Sequence, residues 1–188
     1  MKAHNDKITV DELQHLVRRA QSADADAWEA LYRLAYPSLL AYARRRLVRR
    51  DEADDAVSET FARAYSRIGG FQWEGAGFNA WLFGILRNVV LEFHRRDRRN
   101  ERRLMHGTDD DEDLLHDLLL NEEFGAVRAA FSCLSAEDRE VLELRVVGGL
   151  AAEEVATVLG KRAGAVRMAQ SRALSRLRTE LAKRGDHD

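Results

Sequence analysis

The residues of this 188-residue chain best equipped for chemistry are cations. Between His94 and Arg103 there are six arginines, and a second set, Lys161, Arg162, Arg167, Arg172 and Arg176 with the polar Gln170 and Ser171, recurs near the end of the sequence. Guanidinium groups neutralise phosphates and present paired donors to base edges, so both sets suit nucleic acid. Solvated arginines on a helical bundle look the same by charge alone. A third set is acidic, with Asp51, Glu52, Asp54, Asp55 and Glu59 inside nine positions.

Catalytic and metal-binding patterns are missing from the sequence. His4, His15, His94, His106, His116 and His187 lack ligand spacing, and Cys133 is the single cysteine. There is no glycine-rich phosphate cradle followed by lysine, and no serine, histidine and aspartate arrangement around a nucleophile elbow. The run Asp109 to Asp113 lacks the glycine and the terminal glutamate of a calcium loop. We therefore expect a non-enzyme with no cofactor and no metal, in a reducing, cytoplasmic setting. No signal-peptide pattern opens the sequence, and Asn79, Arg87, Asn88 and Glu92 interrupt its most apolar stretch, so no membrane insertion is expected.

The elements that position these residues read as helices throughout. One proline, many alanines, leucines, arginines and glutamates, and few β-branched runs predict an all-α protein. Residues 1–24 form a weakly amphipathic helix or tail, with Val10, Leu13, Leu16 and Val17 at helical spacing. A stronger pattern starts at Asp26, pauses at Tyr36-Pro37, and restarts with proline in a first turn. Asp51 is the expected N-cap of the next helix, whose Val57, Phe61, Ala64 and Ile68 share an inner face. Gly69-Gly70 ends it, and a glycine-rich loop carrying Phe71, Trp73 and Phe78 follows. These aromatics are open between loop packing and base contact. A long helix from Ala80 packs through Leu82, Ile85, Leu86, Val89 and Phe93, with Trp81 assigned mainly to the core.

Charge divides the chain. Residues 1–104 carry 19 basic and 15 acidic side chains, 105–125 carry none and 8, and 126–188 carry 11 and 9. The middle segment reads as a disordered acidic tether bearing Leu114, Leu115, Leu118, Leu119 and Leu120. Beyond it, helices are expected at 124–133, 136–147, 152–159 and 163–183, with Ser135 and Asp138 forming a cap. The last pair, joined at Gly160 and packed through Val166, Leu174 and Leu177, has the layout of a helix-turn-helix.

Two blocks make a family resemblance specific. Asp51 to Tyr65, Phe78-Asn79-Ala80-Trp81-Leu82-Phe83-Gly84-Ile85-Leu86-Arg87-Asn88, and Arg95-Arg96 together resemble sigma region 2 of extracytoplasmic-function RNA polymerase sigma factors. Leu134-Ser135-Ala136-Glu137-Asp138-Arg139-Glu140-Val141-Leu142 with the helix-turn-helix resembles sigma region 4. The resemblance implies two small helical domains, region 2 over 25–103 and region 4 over 124–184, joined by an acidic linker at 104–123.

It also implies partners and sites. Core RNA polymerase would be met by Asp54, Asp55, Ser58 and Glu59, where the family usually has glutamine in place of Ser58. Asn79, Arg87, Asn88, Arg95 and Arg96 would meet the promoter minus-ten element and its unstacked bases, each stacked base returning about 1 to 3 kcal/mol. Lys161, Arg162, Arg167, Gln170, Arg172 and Arg176 would read the minus-thirty-five element, with divergent readout because Met168 and Ala169 stand where the family often has polar residues. An anti-sigma factor is the expected regulator. The rival reading is a stand-alone helix-turn-helix regulator that recognises DNA without core polymerase.

Overall fold

In the computed structural model, residues 8–73, 75–103, 127 and 129–185 are described. The expected acidic linker, with Asp109 to Asp113 and the leucines after it, lies outside them. Every regular element among the described residues is helical, as the composition predicts.

Helix α1, Val10–Gln21, is set by a capping box in which the Thr9 hydroxyl accepts from the Glu12 amide while the Glu12 carboxylate accepts from Thr9. Helix α2, Ala25–Arg46, is capped by Asp24 and runs unbroken through Pro37. The expected pause at Tyr36-Pro37 is therefore corrected. Pro37 and Arg33 lie on the exposed face, where water can serve the Arg33 carbonyl that proline cannot bond.

Helix α3, Arg50–Arg67, begins one residue before the expected cap. Arg49 occupies the N-cap position without a side-chain capping bond to the helix backbone, and Asp51 lies in the first turn, where its Oδ1 accepts from Arg49 Nε at 3.2 Å. A short 3-10 turn, Ile68–Gly70, closes the helix. Helix α4, Gly77–Arg103, starts three residues earlier than its apolar pattern suggested and buries Leu82, Phe83, Leu86, Val89 and Val90.

Helix α5, Ala136–Leu142, takes its cap from Ser135, whose hydroxyl accepts from the Asp138 amide at 3.1 Å. It widens into a π-turn, Glu143–Val147, that buries Leu144 and leaves Val146 exposed. Helix α6, Ala152–Leu159, ends at Gly160 in the left-handed conformation with φ 65°, which glycine adopts without a Cβ clash. Helix α7, Ala163–Gly185, follows after two residues.

The packing is shared between the two halves. A continuous apolar cluster runs from Leu39, Phe61 and Leu86 to Leu144, Val155 and Val166. Burial of this kind stabilises by roughly 25 cal/mol per Å² of apolar surface removed from water. A smaller cluster of Leu134, Leu142 and Ala173, flanked by Phe131 and Leu177, belongs to the second half alone. At the seam, α4 packs against α6 and α2 against the π-turn. A Cβ on Gly148 would meet the Leu144 carbonyl at 2.6 Å and the Phe83 ring at 3.1 Å, so only glycine fits this approach to the first half. Among the described residues, no helix is long and apolar enough to cross a membrane.

Candidate polymerase and nucleic-acid interface

Helix α3 turns Ala53, Ala56, Val57, Thr60, Phe61 and Ala64 inward. The opposite stripe holds Asp55, Ser58 and Glu59, all exposed, with Asp54 half-exposed 3.8 Å from Arg44. The four acidic-face residues therefore share one outward surface. Tyr65, 60% exposed, continues it nearly two turns further on.

Two grooves flank this stripe where α3 meets α4. One is lined by Asp55, Ser58, Glu59, Phe93 and Arg96, the other by Arg63, Arg67, Asn88, Glu92 and Arg95. The second brings Asn88 and Arg95 together with two arginines that sequence reasoning left out. Their signal was the i, i+4 spacing of Glu59, Arg63 and Arg67 on an amphipathic helix. Arg63 stands between the grooves, bonded to both Glu59 and Glu92. That ion pairing raises the Arg63 pKa, and the Arg63 hydrogen bonds hold the Glu92 carboxyl below its ordinary value. In the first groove the Arg96 guanidinium stands 5.5 Å from the Phe93 ring centre, a cation–π distance.

The other minus-ten candidates separate. Asn79 is exposed in the first turn of α4. Arg87 instead turns into the seam between the halves, where its Nε donates to Glu140 Oε1 at 3.0 Å. The side chains of Arg99, Arg102 and Arg103 lie outside the described set.

The aromatic loop is packed. Phe78 is 1% exposed, and Phe71 meets Trp73, Phe78 and Trp81 at ring-centre distances of 6.0, 5.8 and 5.0 Å. Loop packing thus accounts for Phe71 and Phe78, with Trp73 and Trp81 half-buried at the edge. Gln21 of α1 fastens the loop from behind, its Nε2 donating to the carbonyls of Ile68 and Phe71 at 3.0 and 2.7 Å.

On α7 the buried face is Val166, Ala169 and Ala173 with Leu177 partly covered. Leu174, expected inside, is 38% exposed, because the two alanines allow α7 to approach its neighbours through the adjacent face. Arg162 and Arg172 are exposed. Lys161 pairs with Glu137 and holds that carboxyl below its ordinary range, Arg167 pairs with Glu153, and Arg176 Nη1 donates to buried Asp138 at 2.8 Å. Gln170 is half-buried and accepts from Arg145 Nε at 2.9 Å. Met168, 64% exposed, lies on the outer surface of the same helix.

Comparison with known proteins fits this arrangement. The family model for Sigma-70 region 2 matches residues 31–100, and that for Sigma-70, region 4 matches residues 130–179. The extracytoplasmic-function (ECF) RNA polymerase sigma factor SigD of Mycobacterium tuberculosis is 32% identical over 94% of this chain and 87% of its own length. The chain belongs to the ECF group of the sigma-70 family. The ECF sigma factor BldN of Streptomyces coelicolor is 35% identical over 88% of this chain, which spans 64% of BldN. Among solved structures, the sigma factor RpoE in complex with the anti-sigma factor NepR from Bartonella quintana is 26% identical with a TM-score of 0.60. That match covers 82% of this chain and 96% of the other. CnrH, in complex with the cytosolic domain of CnrY, is 24% identical with a TM-score of 0.64, covering 93% and 97%, and so shares the fold of this ECF sigma factor.

Proposed function

We propose that this chain is a transcription initiation subunit, which binds core RNA polymerase and directs it to promoters while carrying no catalytic site. Region 2, over 25–103, supplies the contact with core enzyme and the minus-ten element. Region 4, over 124–184, reads the minus-thirty-five element. The acidic stretch at 104–123 is the tether between them.

The carrying observation is the juxtaposition on α3 and α4. Asp54, Asp55, Ser58 and Glu59 face out beside a groove lined by Asn88 and Arg95. Carboxylates repel phosphate, so the acidic stripe suits a basic protein surface, while the neighbouring groove offers amide and guanidinium donors to a nucleic-acid strand. Arg96 adds charge, and Asn79 adds a donor at the start of α4. Arg87 joins this set only when its bond to Glu140 opens.

In region 4, Lys161, Arg162, Arg167, Arg172 and Arg176 are all exposed; Lys161 and Arg167 can exchange the surface carboxylates of Glu137 and Glu153 for phosphate, whereas Arg176 reaches phosphate only by leaving the buried Asp138. Gln170 holds the reading helix in place through Arg145, and Met168 offers an apolar contact to a thymine methyl. The regulator is an anti-sigma factor, the kind of partner named in the RpoE complex with NepR, and the site of action is the cytoplasm. Run-off transcription with purified core polymerase tests the function. Defined starts that depend on this chain support it; tight promoter binding without core and no selective starts would favour a stand-alone regulator.

A further inference from the structure

Gln21 lies outside every surface assigned above, yet its side chain joins parts of the chain that are far apart in sequence. It is the last residue of α1 and half-buried. That helix end is itself firmly set, since Val17 and Ala20 are buried and Arg19 Nε donates to the α2 capping residue Asp24 at 2.8 Å. From there the Gln21 amide directs its two hydrogens at carbonyls 47 and 50 residues ahead, Ile68 at 3.0 Å and Phe71 at 2.7 Å. The two acceptors bracket Gly69-Gly70, and the Phe71 amide closes the same turn on the Ile68 carbonyl at 3.0 Å. Neither glycine has a neighbour within 4 Å of where a Cβ would stand, so hydrogen bonds rather than side-chain packing hold the turn at these two residues. Beyond it the hold passes along the ring cluster. Phe71 lies 5.0 Å from Trp81 and 5.8 Å from Phe78 between ring centres, and a Cβ on Gly77 would meet the Trp73 ring at 3.2 Å, which seats Trp73 on the first residue of α4. Exposed Gln72 and Asn79 stand on this segment.

We infer that Gln21 is a positioning residue for promoter opening: it fixes the Ile68–Phe71 turn, and through it the aromatic loop and Asn79, in the arrangement that receives an unstacked minus-ten base. The inference rests on the reading of region 2 as the part that meets the minus-ten element. A base leaves the duplex only with loss of pairing and stacking, and a loop that is already ordered offsets more of that loss than one ordered on contact. Gln21 acts through the two carbonyls and does not itself touch DNA. Loss of its donors therefore weakens the capture of bases from a closed duplex and leaves core binding and the minus-thirty-five contact alone.

The test compares the parent holoenzyme with Q21A, which lacks the donors, and Q21K, whose ammonium group offers hydrogens at a similar reach. Run-off starts are measured at saturating template on a promoter selected with the parent holoenzyme, supplied as a duplex and as a heteroduplex already unpaired over the minus-ten element. Capture by core polymerase and acrylamide quenching of tryptophan emission are followed alongside. Q21A should start about tenfold more slowly on the duplex, the scale of two lost hydrogen bonds of ordinary net strength, and near the parent rate on the heteroduplex. Its tryptophans should quench more readily as Trp73 and Trp81 loosen, with core capture unchanged. Q21K should recover most of the duplex rate. Equal losses on both templates, weakened core capture, or parent-like quenching in Q21A overturns the positioning role, as does a parent-like duplex rate. A Q21K no better than Q21A overturns the assignment to the donated hydrogens. Absence of defined starts from the parent on either template would instead sink the proposed function.

Discussion

Arg63 grips Glu92 with two parallel hydrogen bonds, Nη1 to Oε1 at 2.9 Å and Nη2 to Oε2 at 2.7 Å, while its Nε donates to Glu59 at 2.7 Å. The bidentate pair ties α3 to α4 at the boundary between the acidic stripe and the groove lined by Asn88 and Arg95. Both side chains are partly solvated, so R63M should cost on the order of 1 kcal/mol in denaturant unfolding. The pH dependence has a definite sign. Glu92 has a lowered pKa in the folded state, so its contribution is present above the ordinary value of 4.5 and disappears as pH falls through the folded value. The acid-side decline of unfolding midpoints should therefore be shallower in R63M, and an unchanged profile would show that the pair contributes nothing.

Charge reversal on the α3 stripe should separate core binding from folding. D55R and E59R alter exposed positions, so helical circular dichroism should match the parent. Capture by purified core polymerase should weaken about tenfold or more, as expected when like charges are placed opposite each other. Parent-level capture by both variants would remove the stripe from the interface.

Arg95 and Arg96 are exposed beside the α3–α4 grooves. If each neutralises one phosphate, R95A and R96A should each reduce the slope of log binding constant against log salt by about one in holoenzyme–promoter titrations. N88A should instead change which minus-ten sequences are selected, leaving the slope near that of the parent.

Gln170 and Met168 are two positions apart on α7 with different surroundings. Q170A removes the acceptor for Arg145 and should lower stability by roughly 0.5–1.5 kcal/mol in thermal unfolding. M168A alters an exposed side chain and should leave stability within about 0.5 kcal/mol, while changing minus-thirty-five preference in promoter selection. Equal destabilisation by both variants would contradict this division.

Glu143 should oppose Glu92 in its pH response. Burial raises its carboxyl pKa, against the lowering effect of Arg46, Arg45 and Arg139 and with Glu140 adding to the rise. A raised folded-state pKa gives stability that is complete below the ordinary value of 4.5 and is lost as pH climbs through the folded value. E143Q should flatten that part of the stability profile in denaturant titrations across mildly acidic pH. A wild-type slope in the variant would mean that another group titrates there.

Much of this arrangement was legible in residue spacing. Apolar periodicity placed the inner faces of α3 and α4, and Ser135 and Gly160 marked a real cap and a real turn. Spacing turned Asp55 and Glu59 outward on α3, and the family resemblance added Asp54 and Ser58 to them. Errors arose where local rules compete with tertiary surroundings. Asp51 is a good capping residue, but Arg49 takes the position and draws the Asp51 carboxylate to itself. Pro37 breaks helices when a missing amide is buried, and here its helical face is wet. The bonding of Arg87 and Gln170 was beyond sequence reading, because their partners Glu140 and Arg145 are 53 and 25 positions away. Periodicity places a residue on a face and says nothing of what a distant segment brings to it.

The region 2 match begins at residue 31, yet Gln21 anchors the segment that carries Phe71 and Trp73. An inherited module and a self-sufficient mechanical unit therefore have different edges in this protein. A trimmed version starting where the shared motif starts would keep Asn79, Asn88, Arg95 and Arg96 but lose the brace behind the aromatic segment. α1, which reads from the sequence as a weakly amphipathic helix or tail, is better regarded as a brace for the segment that carries Phe71 and Trp73.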